Sequence, residues 1–364
     1  MAGQARAPAS GMSAPAARPF AAVDAALDVE VITTTAELEA LEPEWLALWR
    51  QCPAATPFQS PAWLIPWWRH LGQGDLWVLA LRHRGRLAGL APLYRYRRPG
   101  ASRLEVFLIG IATTDYLDAL FAPGYERTGA VAVFAHLDGA RHRWDVCNLQ
   151  QLQPASALCW APAPAGWQDE LTEQEPCPTL ALPPSLEGLE ACVPARMLHN
   201  LRYYRRRAER AGPVRIEAAR GADVATCFDA LLRLHSARWA SKGLPGVLAD
   251  DAVQRAHREA LPALEALGVL RLYRLWVGDR LAACYYGLAD LDRSDSGGRA
   301  YYYLSGFDPA LAHLSPGTLI VGHAIEQAVR EGAAAFDFLR GREPYKYLWG
   351  ARDAPTYRRR LWRP

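Results

Sequence analysis

Asp337, Arg340, Arg342, Glu343, Tyr345 and Lys346 crowd into ten positions around Gly341. They follow the apolar run AAAFDFL, which itself follows the helical pattern LIVGHAIEQAVREG, with Gly332 fitting the helix stop. In a strand, Phe336 and Phe338 share one face and Asp337 points to the other. Acid, base, phenol and cation therefore leave the end of one strand together. Such a set can move protons and hold an anion. The same residues also fit a buried Asp paired with a nearby Arg, followed by a solvated loop, because buried ion pairs occur for structural reasons too.

A second stretch, Ser315-Pro316-Gly317-Thr318, opens the helix just upstream. Pro316 at the first helical position sacrifices no hydrogen bond, and Gly317 lets a ligand approach the backbone. Free N–H groups over Ser315–Leu319 and the helix dipole would favour an anion there. A bare helix cap explains the residues equally. A third feature is the segment LEACVPARMLHNLRYYRRRAERAG, with six Arg from Arg196 to Arg210. Leu198, Leu201, Ala208 and Ala211 can share its apolar face. Its arginines read as a solvated face, as contacts to an anionic ligand, or, with Tyr203 and Tyr204 beside them, as an RNA surface.

The elements that must position these groups are legible in order. Val29–Ile32 is a short strand, and Thr35 looks like an N-cap for AELEALEPEWLALWRQC, which has helical spacing. Ser60-Pro61 opens another helix. LWVLALRHRGRLAG is a hairpin turning at Arg84-Gly85, RLEVFLIG a strand, GAVAVFAHL a helix and WDVCNLQQL a strand. From Pro154 to Pro184 seven prolines and little periodicity suggest a connection between domains. Beyond it the order is helix, strand, two helices, hairpin, strand, helix, strand. LWVLALRHRGRLAG (76–89) aligns without a gap to LRLYRLWVGDRLAA (270–283), an offset of 194 residues that also relates Trp45 to Trp239. Two related α/β (α+β) domains in tandem are expected, over 28–153 and 185–364, each a mixed twisted sheet flanked by helices, after a disordered tail over 1–27 and around a Pro-rich connection over 154–184.

Composition excludes several classes. The 364 residues are 51% hydrophobic and 22% charged, with a formal net charge of +3. That charge is too small to argue for nucleic acid or an anionic membrane. No run approaches the roughly 18 apolar residues of a membrane helix, so no membrane insertion is expected. Seven Cys form no CxxC pair, and reduced thiols in a cytoplasmic protein are the default. The histidines show no HxH, HxxH or HxxxH spacing, so no metal is assigned. There is no GxSxG elbow.

The order of elements resembles the acyl-CoA N-acyltransferase (GNAT) fold. The narrower resemblance is to the BioF-like acetyltransferase domain of CelD-type proteins, related to the tandem FemAB-type proteins. It rests on Pro57–Trp63, Gly85–Gly89, Thr114–Asp118, His235 with Arg238-Trp239, Gly306–Pro309, Ser315–Thr318 and the run from Asp337 to Trp349, and covers about residues 29–362. The resemblance implies acyl transfer from acetyl-CoA to an amine on a small-molecule, glycan or peptide acceptor, in polysaccharide or cell-envelope biosynthesis. It makes Asp337 or Glu343 a candidate base, Tyr345 the acid, and Lys346 a further catalytic group. Ser315, Gly317, Thr318 and Arg340 would hold the donor. Asp115, Tyr116, Asp118, His235, Arg238 and Trp239 would meet the acceptor. The usual cofactor loop, Arg/Gln-x-x-Gly-x-Gly/Ala, is absent at His313–Thr318. A FemAB-like transferase using aminoacyl-tRNA, or a non-catalytic partner-binding member of the family, are the alternatives the resemblance leaves open.

Overall fold

The computed structural model describes residues 26–240, 243, 246–291 and 297–363. All but the last two positions of the expected tail lie outside the described residues. The N-terminal half runs β1 (Asp28–Ile32), α1 (Thr35–Ala40), α2 (Glu42–Gln51), α3 (Pro61–Leu71), β2 (Asp75–Leu76), β3 (Val78–His83), β4 (Arg86–Ala91), β5 (Leu93–Tyr96), β6 (Glu105–Leu108), β7 (Leu120–Phe121), α4 (Glu126–Gly139) and β8 (Val146–Leu152). Thr34, not Thr35, caps α1: its hydroxyl accepts from Glu37 N while the Glu37 carboxylate accepts from Thr34 N. The single helix expected over 36–52 divides at Leu41, because Pro43 starts a new helix and cannot continue the old one.

After β8 come α5 (Ala157–Trp160), β9 (Gln168–Glu173) and β10 (Cys177–Ala181). The C-terminal half follows as α6 (Leu189–Cys192), α7 (Ala195–Ala211), β11 (Val214–Ala218), α8 (Asp223–Ala240), α9 (Asp251–Ala266), β12 (Leu270–Val277), β13 (Arg280–Ala289), β14 (Gly298–Phe307), α10 (Pro316–Arg330), β15 (Ala333–Asp337), α11 (Pro344–Leu348), β16 (Arg352–Ala354) and β17 (Tyr357–Trp362).

The two halves repeat one plan. The hairpin β3–β4 is matched by β12–β13, each with an antiparallel strand outside it, β1 and β11. Strand β6 pairs in parallel with β8 across α4, as β14 pairs in parallel with β15 across α10. The repeats meet through equivalent helices, α3 and α9. Trp63 and His257, themselves 194 positions apart, touch edge to face with ring centroids at 5.4 Å. Arg69 and His70 on α3 both reach Glu259 on α9. One continuous apolar core crosses this seam, with Trp45, Phe58 and Trp63 from one half and Phe228, Tyr286 and Tyr301 from the other.

The stretch 154–184 is not a plain connection. β9 joins the sheet ordered β2-β5-β6-β8-β17-β9, and β10 joins β11-β12-β13-β14-β15-β10-β16. The prolines hid this because Pro178 sits in a short strand near the sheet edge, where its ring is tolerated. The chain end also crosses back: β17 lies between β8 and β9 in the N-terminal sheet. Arg359 anchors it there. It is buried, grips the Asp169 carboxylate with two nitrogens (2.9 and 2.6 Å) and donates to Leu158 O at 2.7 Å.

A chain ending at Pro355 should therefore lose protection in the N-terminal sheet while β12–β14 keep theirs. Hydrogen exchange followed by mass spectrometry checks this, and unchanged protection in β6 and β8 would show that β17 is dispensable.

Candidate active site

Strands β14 and β15 pair only as far as Tyr301 and Asp337. Beyond that point β14 runs on to Phe307, while the chain after β15 turns away. A cavity of 250 Å³ opens in the gap. Tyr302, Ser305 and Phe307 line it from β14, Gly317 and Thr318 from the start of α10, and Tyr345 from α11. Met197, Asn200 and Tyr204 on α7 and Arg238 on α8 close it. Gly306 lets α8 come this near: a Cβ there would lie 2.6 Å from His235 N.

At the mouth of α10, Ser315 adopts a left-handed conformation with φ +55°. Its carbonyl accepts from Thr318 N and Leu319 N, and its own N–H donates to Ala312 O. Pro316 has no N–H. Gly317 is thus the residue of this turn whose N–H has no partner among the described residues. The row of outward N–H groups expected from the sequence reduces to one donor, beside a Thr hydroxyl and the Arg238 guanidinium. That agrees with the absent cofactor loop.

Tyr345 meets Tyr302 edge to face, with ring centroids 6.2 Å apart, and the Tyr302 hydroxyl lies 2.5 Å from Ser305 Oγ. Burial pushes the Tyr345 phenol well above its ordinary value, helped by Tyr302 and Glu343. Tyr345 therefore holds its proton at neutral pH.

Asp337 does not reach this cavity. It is fully buried, and its carboxylate accepts from Tyr116 Oη at 2.6 Å, Arg299 Nη1 at 3.0 Å and Leu339 N at 2.8 Å. Burial raises its pKa, against the pull of Arg299 and Tyr116. The carboxylate is a knot that joins the two halves, and it lies outside the lining of this cavity. Lys346 is likewise occupied: its buried ammonium donates to the carbonyls of Leu339, Arg340 and Gly341 and pairs with Glu343 at 2.9 Å. Glu343 is exposed on the far side of that pair. Arg340 lies across the seam, donating to Ala112 O and pairing with Asp115 at 3.3 Å, away from the start of α10. Arg342 pairs with Asp353.

The remaining predicted residues separate. Asp115 and Tyr116 belong to the knot, and burial pushes the Asp115 carboxyl up to about 6. Asp118, three positions on, accepts from Ser156 Oγ and lines a different cavity in the N-terminal half. Of the α8 set, Arg238 faces the site, with its guanidinium 4.9 Å over the Phe307 ring. His235 is buried, neutral because burial drops its pKa to about 4, and packs against Trp239. On α7 the buried face is Met197, Leu201 and Ala208, while Leu198 is half-buried and Ala211 exposed. Asn200 and Tyr204 were missed; their spacing from Met197 places all three on one side of the helix, the signal that could have found them. Arg202 and Arg205 pair with Glu190 and Glu326 at the surface.

Comparison with known proteins now has a geometry to meet. Residues 195–347 match the family model described as an acetyltransferase (GNAT) domain. Over that stretch, under half of the chain, the sequence is similar to a GNAT acetyltransferase domain. The solved structure of FemX covers 91% of this chain and 96% of its own at 12% identity, with a TM-score of 0.60. That of L-PGS from Bacillus licheniformis covers 90% and 91% at 12% identity, with a TM-score of 0.51. A conserved protein of unknown function from Bacteroides thetaiotaomicron covers 93% and 100% at 11% identity, TM-score 0.57. At such identities the likeness shows a shared fold over nine-tenths of the chain. No curated protein matches the sequence. Among the described residues, no helix is long and apolar enough to cross a membrane, and no group of His, Cys, Asp and Glu could hold a metal ion.

Two predictions follow from the carboxylates around the GNAT-like domain. Asp337→Asn keeps the shape but leaves Arg299 without its counter-charge and one acceptor weakened, so urea unfolding should show a loss of about 1–3 kcal/mol; unchanged stability would show that the knot is not structural. Burial pushes Asp118 up to about 7. Between about pH 4, where an unfolded Asp ionises, and pH 7, the folded state keeps a proton that the unfolded chain has released. Stability from this group therefore falls as pH rises through that window. Asp118→Asn should shrink the difference between urea midpoints at pH 5 and pH 7.5, and an unaltered difference would show that Asp118 does not titrate there.

Proposed function

We propose that the chain transfers an acyl group from a thioester donor, acyl-CoA, to an amine, and that the cavity between β14, α10 and α11 holds the donor. The observation that carries this reading is the convergence of a free backbone N–H and a Cβ-free approach at Gly317 with the Tyr345–Tyr302–Ser305 hydroxyls in one cavity, where β14 and β15 part. Gly317 N–H, Thr318 and Arg238 suit the phosphate-bearing end of the donor.

The chemical step follows from the groups present. The amine nitrogen attacks the thioester carbonyl, the C–N bond forms, and the C–S bond breaks. The thiolate needs a proton as it leaves, and Tyr345, which lines the cavity and is protonated, can supply one. The residues lining the cavity include no carboxylate and no histidine. The acceptor therefore enters as the free amine or loses its proton to water, and holding both reactants together becomes the main contribution of the protein.

A second reading, an aminoacyl-tRNA donor, draws on the exposed Tyr203 among the α7 arginines. It predicts RNA binding that weakens steeply with salt. The pairing of Arg202 and Arg205 with glutamates counts against it.

A thermal melt with acetyl-CoA or free CoA tests the first reading. Ligand at about 100 times its dissociation constant stabilises by roughly 2.7 kcal/mol, a shift of a few degrees. Gly317→Val should abolish the shift with little effect on the unliganded melt, since a Cβ there meets only Phe307, at 3.4 Å. Tyr345→Phe should keep the shift and lower kcat about 100-fold. Absence of any shift with either ligand would remove the CoA reading.

A further inference from the structure

A cavity of 290 Å³ opens between the end of β11, the start of β12 and the second half of α10. It shares no residue with the cavity at the start of α10. Thr318 lines that one and Gln327 this one, about 14 Å apart along the helix axis. Bond formation needs reacting atoms about 3–3.5 Å apart. A small molecule held here is therefore out of reach of a thioester held there.

Tyr273 marks this cavity as a place for a ligand. It is only 6% exposed. Its ring lies between that of Tyr285, which stacks on it, and that of His323, which meets it edge to face. Its hydroxyl has no hydrogen-bond partner among the described residues. Burial pushes the phenol up to about 12, and the charges that act on it are those of Glu331, Arg271 and Arg220, all three in the cavity wall. The hydroxyl therefore faces the cavity, keeps its proton and can donate it to an acceptor. Buried hydroxyls left unpaired are costly, and a ligand that accepts from this one recovers that cost.

The wall presents both signs of charge. Arg271 is held by Glu331 at 2.7 Å and by the carbonyls of Gly268 and Leu270. Glu265 accepts from Gly221 N at 2.6 Å. The second carboxylate oxygen of Glu331 and of Glu265, and the Arg220 guanidinium, have no partner among the described residues. Two arginines and two glutamates sum to no net charge, so a lone anion or a lone cation meets a repelling group as well as an attracting one.

We infer that this cavity is a second ligand site, separate from the acyl-donor site, and that its ligand is a zwitterion, a free α-amino acid. The carboxylate accepts from Tyr273 and Arg220, and the ammonium donates to the open oxygens of Glu265 and Glu331. The Gln327 amide and the apolar Ile216, Ala219 and Leu272 are left for the side chain.

Saturation-transfer difference NMR on the full chain tests this with L-alanine, L-leucine and L-glutamine as zwitterions, and with acetate and methylammonium as the two charged halves. The inference expects a saturable signal from at least one amino acid, at least 10-fold stronger than from either half at equal concentration. Two variants locate it. Tyr273→Phe removes the hydroxyl and keeps the ring between Tyr285 and His323. Arg220→Gln removes the cation from an exposed position, so the core is untouched. Each should reduce the signal at least 10-fold. No saturable signal from any of the three amino acids, a signal from acetate or methylammonium as strong as theirs, or a signal equal in wild type and the Arg220→Gln protein would overturn the inference. None of these outcomes depends on CoA binding.

Discussion

The rest of the molecule depends on one buried carboxylate. Taking the Asp337 charge out of water is costly unless donors replace the water. The donors come from three places: Tyr116 in the N-terminal repeat, Arg299 on the neighbouring strand and the backbone just beyond. Satisfying that carboxylate therefore requires both repeats to be folded and docked. It also fixes the chain that follows. Leu339 takes a left-handed conformation, φ +58°, to point its N–H back at Asp337. That conformation costs a non-glycine residue about 1–2 kcal/mol. The three carbonyls then turn inward, and the Lys346 ammonium gathers them. Tyr345 sits next to that lysine, so its place in the cavity is set by a knot that no substrate touches.

Much of this architecture was legible because it is local or repeated. The hairpins at 78–91 and 270–289, the helix after each, and the strand after that all follow from short-range periodicity. The 194-residue offset exposed the duplication, and the same offset turned out to mark residues in contact, Trp63 and His257. What escaped notice is long-range. Nothing near Tyr357–Trp362 says that it will pair with β8, about two hundred residues earlier, or that Arg359 will find Asp169. The same limit applied to the chemistry. The run from Asp337 to Lys346 was read as the chemical centre, and of it Tyr345 alone lines the cavity. Proximity in sequence could not distinguish a side chain that meets a ligand from one that holds the loop. Asp337 and Lys346 are polar and buried, and their partners lie on other elements or on backbone carbonyls.

The duplication explains how one fold carries two different cavities. Each repeat has a concavity beside a helix N-terminus, α10 in one and α4 in the other. The first turn of the helix decides what enters. Gly317 leaves backbone exposed beside Arg238, and Glu126 covers its turn with its own carboxylate. The two cavities thus differ in charge, with Asp118 and Glu126 in one and Arg238 in the other, while the order of strands stays alike.

The distribution of acids has a consequence for catalysis. The carboxylates nearest the seam, Asp115 and Asp337, are buried against arginines, and Glu343 is turned to Lys346. The cavity between β14, α10 and α11 is left with hydroxyls, one side-chain amide and one guanidinium. Such a set can position a thioester and protonate a leaving group, and it offers no strong base. Rate enhancement must then come from orientation and from a proton donor held ready, both of which require a rigid wall more than a tuned carboxylate. Rigidity is what the paired repeats supply. The continuous core across α3 and α9, the returning strand β17 and the Asp337 knot each tie the two halves together around the cavity. The N-terminal half thereby holds Tyr116 against Asp337, and with it the loop that carries Tyr345.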